Sequence, residues 1–122
     1  MKKIIAFILP YIIIFFNSNL LSEEKDAVLK VGLIAPLSGE YKELGNSLLH
    51  SLQLALDEIN DEKVYIIPRD TGFNNKEKLK NAIDDIRSQG VNTIIGPINY
   101  EDFDLVKNYN DIIFISPSNI SP

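Results

Sequence analysis

The chain of 122 residues has no cysteine and no tryptophan, one methionine and one histidine. Without cysteine there is no disulfide framework, no thiolate metal site, no cysteine nucleophile and no lipid carried on a mature N-terminal cysteine. The single histidine, His50, lies two residues from both Leu48 and Leu52 and so points off their apolar stripe. No carboxylates stand at a spacing that would converge on it, so it reads as a surface residue and no metal site is expected. Cations are also scarce: 12 Lys and Arg stand against 17 Asp and Glu, a net charge of −5. That balance argues against a nucleic-acid partner, because neutralising phosphates takes a surplus of basic side chains. The length allows one domain and excludes a large multi-domain enzyme or a polytopic transporter.

Catalytic patterns are missing as well. Gly39 and Gly45 are separated by bulky residues and no Lys-Ser or Lys-Thr follows, so no phosphate-cradling loop is present. Asp70-Thr71-Gly72 matches the tripeptide of aspartic proteases, but that chemistry needs two such aspartates sharing a proton. Here the tripeptide joins an extended run to a helical one and reads as a turn. Nothing pairs a nucleophile with a base. The expectation is a non-catalytic protein with no cofactor.

What is present begins with an address. Met1-Lys2-Lys3 precedes the uncharged run Ile4 to Phe16, then Asn17-Ser18-Asn19 and Leu20-Leu21-Ser22. A basic start, a short apolar stretch and a polar exit are the three parts of a secretory signal. As a helix the run reaches about 20 Å, short of the roughly 30 Å hydrocarbon layer. Residues 1–22 are therefore read as a signal peptide for export to the periplasm, and as the chain's only association with a membrane. Every acidic residue lies at Glu23 or later.

The rest alternates strand and helix. Val28 to Pro36 reads as strand one; Leu44, Leu48, Leu52, Ala55, Leu56 and Ile59 recur at three and four residues as one stripe of a helix. Val64 to Ile67 is strand two. Asn74, with Glu77 three residues on, opens helix two, whose buried face is Leu79, Ala82, Ile83 and Ile86, and Gly90 closes it. Val91 to Ile95 is strand three; Asn99 caps a short third helix through Phe103, Val106 and Tyr109; Ile112 to Ile115 is strand four. Continuously apolar strands separated by helices imply a parallel sheet covered on both faces, an α/β doubly wound fold. Ligands of such sheets sit beyond the carboxyl ends of the strands where the winding reverses. With strand one central, the loops Leu37–Leu44 and Gly96–Tyr100 frame that crevice, and Ser116–Asn119 lies beside it.

Several segments in this order resemble a known family. Lys30-Val31-Gly32-Leu33-Ile34-Ala35-Pro36-Leu37-Ser38-Gly39, Leu44-Gly45, Leu54 to Asn60, Asp70-Thr71, Ile94-Ile95-Gly96-Pro97 and Ile115-Ser116-Pro117 are similar to the opening of type I periplasmic binding proteins, the leucine/isoleucine/valine-binding kind. The resemblance runs from Lys30 to Pro122. It implies that residues 27–122 are the N-terminal portion of one lobe of a longer two-lobed fold, hence a truncated product, a fragment or half of a split gene. Ile67 to Gly72 and Ile95-Gly96-Pro97 look most like the penicillin-binding protein activator branch, whose members bind an enzyme of cell-wall synthesis.

Two departures from the amino-acid receptors of the family weigh on function. Leu44 stands where those receptors carry an aromatic residue. Their serine-rich loop after strand three is here Ile98-Asn99-Tyr100-Glu101-Asp102, with Asp104 close behind, which opposes an incoming carboxylate. The expectation is therefore a regulator of peptidoglycan synthesis with a cell-wall enzyme as partner. The alternative is the substrate-binding component of an ABC importer, with a small amino-acid-like ligand and a permease as partners. The expected ligand-contacting residues are Ser38, Gly39, Asn99, Tyr100 and Ser118: hydroxyls from the serines, close backbone approach at the glycine, a stacking face from the tyrosine.

Overall fold

The computed structural model describes residues 28–117, so the signal segment and Ser118 lie outside the described residues. The elements are β1 (Leu29–Ala35), α1 (Lys42–Ile59), β2 (Val64–Asp70), α2 (Lys76–Ser88), β3 (Thr93–Ile95), a 3₁₀ turn (Tyr100–Asp102) running into α3 (Phe103–Val106), and β4 (Ile113–Ile115). All pairings are parallel, in the order β2-β1-β3-β4. This is the expected α/β sheet with strand one in the interior. The winding reverses at β1, which opens a crevice at the carboxyl ends of β1 and β3.

The core lies on the α2 side. Ile34 of β1 and Ile94 of β3 pack against Leu79, Ile83 and Ile86 of α2, all at most 1% exposed, and Val106 and Ile112 close the end. The spacing of four and three along α2 puts its apolar residues on one stripe, and each buried side chain of this size contributes about 1.5–3 kcal/mol. The helix starts one residue later than the sequence indicates. Asn75 supplies the cap, its Oδ1 accepting the Lys78 amide at 3.0 Å. Asn74 instead takes a left-handed φ of 54°, and its Oδ1 accepts from Asn99 Nδ2 at 3.2 Å. Two adjacent asparagines can each cap; the turn at Asn74 leaves Asn75 facing the free amides. Asn75→Ala is expected to cost about 1 kcal/mol, read as a drop of about 4–8 °C in the unfolding midpoint.

The strand bounds differ for similar reasons of context. β2 continues through Pro68 to Asp70, beyond the expected end at Ile67. It is an edge strand, where the amide that proline lacks points away from the sheet. β3 is shorter than its apolar run.

The α1 layer is thinner than a fully covered sheet would have. α1 lies over β2 and β1, with Leu48, Leu52 and Leu56 half-buried and Gly45 its only buried residue. Leu54 and Ile59 remain 56% and 67% exposed. Phe114 faces the core on the α2 side, so alternation turns Ile113 and Ile115 toward the α1 side. There they are 63% and 50% exposed. The stripe exists; its cover is partial.

Candidate ligand-binding cleft

Asp70, the last residue of β2, fixes the loops around the crevice. Its Oδ1 accepts the Leu37 amide at 2.8 Å and the Gly72 amide at 2.9 Å, while Lys78 Nζ reaches Oδ2 at 2.7 Å. The Ser38 hydroxyl donates to the same Oδ2. Burial alone would push this carboxyl up; the hydrogen bonds from Lys78, Ser38 and the two amides outweigh it and hold Asp70 well below the usual carboxylate range. A carboxylate so strongly held in its charged form is a strut, not a proton carrier. The Asp-Thr-Gly tripeptide is accordingly the strand-end turn expected, and Thr71, 7% exposed, extends the β1–β2 ladder through its amide to Ala35 O at 2.9 Å.

This strut aims the two residues that form one wall. Phe73, just past the turn, stacks on Tyr41 at the start of α1, ring centroids 3.8 Å apart and planes at 26°. Leu44 follows one turn later on the same side of α1. The opposite wall begins at Gly96, whose φ of 118° and closeness to Ile34 O (2.5 Å from where a Cβ would stand) admit no side chain. After the cis Gly96–Pro97 bond come Ile98, Asn99 and Tyr100. Asn99 Oδ1 accepts the Glu101 amide at 3.4 Å and opens the 3₁₀ turn.

Between these walls lies a cleft of about 260 Å³, whose lining includes Tyr41, Leu44, Phe73, Ile98, Tyr100 and Asp102. It is mostly apolar, with three aromatic rings and a single carboxylate. Burial raises the pKa of that Asp102 carboxyl, opposed by Lys76 and assisted by Glu101. Its side chain makes no capping hydrogen bond.

Of the residues expected at the site, the structure brings Asn99 and Tyr100 to the cleft. Ser38 is exposed with its hydroxyl committed to Asp70, and Gly39 occupies an open turn at φ 79°. Neither lines the cleft, and Ser118 lies outside the described residues. The sequence reading missed Tyr41, Phe73 and Asp102. The signal available was the aromatic residue directly after the Asp-Thr-Gly turn, which brings the β2 loop into the site. His50 is exposed, and no cluster of metal-ligating side chains occurs among the described residues.

Comparison with known proteins decides the family. The sequence model of the periplasmic binding protein family matches residues 28–122. The chain belongs to that family. It is 30% identical over 112 residues to the uncharacterized protein MJ1266 of Methanocaldococcus jannaschii, covering 83% of this chain and 27% of that one. Among solved structures, a solute-binding protein of an ABC transporter from R. palustris, in complex with 4-hydroxybenzoate, superposes with TM-score 0.67 at 20% identity, over 73% of this chain and 26% of its own. Full-length LpoA from Haemophilus influenzae superposes with TM-score 0.61 at 21% identity, over 78% of this chain and 17% of its own. At these identities the superpositions show the fold alone. The chain spans about a quarter or less of the length of these proteins.

Proposed function

We propose that this chain forms part of the first lobe of an exported, non-catalytic solute-binding protein, holding a small molecule at the rim of the sheet for an ABC importer. The observation that carries the reading is the aromatic-walled cleft of about 260 Å³ at the point where the winding reverses. Its size is at the small end of ligand sites, which run from about 300 Å³ upward, and matches a single-ring solute. The R. palustris protein of the same fold is in complex with 4-hydroxybenzoate. Export through residues 1–22, cut after Ser22, belongs to the same proposal, as does location in the periplasm.

A second reading keeps its own support. LpoA is a regulator of PBP1A, and regulation of a cell-wall enzyme would use a protein-facing surface. The bare apolar side chains Leu54, Ile59, Ile113 and Ile115 could serve as one. The sequence alone leans toward this regulator; the aromatic cleft moves the balance to the solute.

The two are separated by one pair of measurements on the full chain. The solute reading expects a rise in unfolding midpoint of several degrees with at least one single-ring compound at saturation, and no retention of purified PBP1A, the enzyme that LpoA regulates. Retention of that enzyme, with no compound shifting the midpoint, contradicts the solute reading and supports the regulator.

A further inference from the structure

We infer that the cleft selects organic cations with an aromatic or methylated-ammonium body over the carboxylates that related folds hold. The inference rests on the small-molecule reading of the cleft and names the charge of its ligand.

The charge and the rings of the cleft are complementary to a cation. Tyr41, Phe73 and Tyr100 present rings to the cavity, and the negative face of an aromatic ring attracts ammonium groups. Asp102 is the one charged side chain in the lining. Among the described residues no hydrogen bond or ion pair reaches its carboxylate. Lys76 acts on Asp102 but opens onto a separate, more polar depression beyond Tyr100. The other nearby cation, Lys78, is spent on Asp70. Two side-chain donors of the lining are already engaged: the Thr71 hydroxyl donates to Gly72 O at 3.2 Å, and the Asn99 amide nitrogen donates to Asn74. A bound carboxylate would face Asp102 with no cation in the wall and no free hydroxyl except those of the tyrosines. An ammonium group meets both the rings and the unpartnered carboxylate, in a partly dehydrated setting where each attraction is worth more than in water.

The test is isothermal titration of the full chain with trimethylphenylammonium, 2-phenylethylamine, 4-hydroxybenzoate and isoleucine. The two cations are expected to bind and 4-hydroxybenzoate and isoleucine to stay silent at the same concentrations. Asp102→Asn is expected to weaken cation binding about tenfold without lowering the unfolding midpoint, because a carboxyl whose pKa is raised by folding destabilises the native state when charged. Phe73→Leu, which leaves Asp102 in place, is expected to weaken it several-fold and serves if Asp102→Asn does not fold. Binding of 4-hydroxybenzoate or isoleucine with the cations silent overturns the cation inference and leaves the small-molecule reading standing. Cation binding unchanged in both variants overturns the assignment of this cleft. Silence from all four compounds overturns the inference and removes the support for the small-molecule reading with it.

Discussion

Asp70→Ala is expected to lower stability by about 2–3 kcal/mol, the range for removing a charged acceptor that satisfies several donors at once. In a domain of this size that is about 10–20 °C in the unfolding midpoint. The loss arises because Asp70 ties the loop at Leu37 and Ser38, 33 and 32 residues away, to the turn at Gly72 and the first turn of α2 at Lys78. The side chain is 26% exposed, so its partners sit in a setting where unmet donors are costly. The pH dependence has a definite sign. Folding lowers the pKa of Asp70, so its contribution is fully present above the unfolded value of about 3.9 and is lost as pH falls through the lower folded value. Wild type is therefore expected to lose stability on acidification below about pH 4, and Asp70→Asn to lose less over the same interval. Chemical denaturation at neutral pH and at about pH 3 checks both statements. Equal losses in wild type and Asp70→Asn would remove Asp70 from its place at the centre of these loops.

Gly45→Ala is the second large effect and is steric. A Cβ at residue 45 would stand 1.9 Å from Pro36 O and 2.6 Å from Pro36 C. Both are backbone atoms of the loop leaving β1, so no rotamer change relieves the clash. Within a helix, alanine is favoured over glycine by about 1 kcal/mol, and here that preference is outweighed. The expected cost is about 3 kcal/mol or more, met by moving α1 away from β1. Because Pro36, Tyr41 and Leu44 all border the cleft, the variant should also lose ligand binding. Asn46→Ala, at the exposed next position, is the control and should stay within about 0.5 kcal/mol. Thermal unfolding of the two variants side by side checks the contrast.

The topology was legible because it is written locally. Apolar strands stop at Pro36, at Asp70-Thr71-Gly72 and at Gly96-Pro97, and the stripe Leu79, Ala82, Ile83, Ile86 has helical spacing, so order and parallel sense followed. The cleft's position followed from topology, and with it Asn99 and Tyr100. What sequence could not supply was pairing across the chain. Ser38 reads as a free hydroxyl until Asp70, 32 residues away, is found to take it. Tyr41 and Phe73 read as isolated aromatics until β1 and β2 lie side by side and stack them. The choice between Asn74 and Asn75 as cap turned on a single left-handed residue. For α1, spacing named the apolar face correctly, but periodicity carries no information about what covers a face, and Ile59 is left 67% exposed.

Central to the proposed function is a small molecule held at the carboxyl ends of β1 and β3, between the Tyr41–Phe73 wall and the Ile98–Asp102 wall. Amide chemical-shift mapping of the ¹⁵N-labelled chain, titrated with the tightest-binding of the four probe compounds, tests it residue by residue. The expected result is a set of perturbed amides gathered at Tyr41, Gly72, Phe73 and Ile98 to Asp102. Perturbations gathered instead at the opposite end of the sheet, around Asn60 to Tyr65, would contradict it.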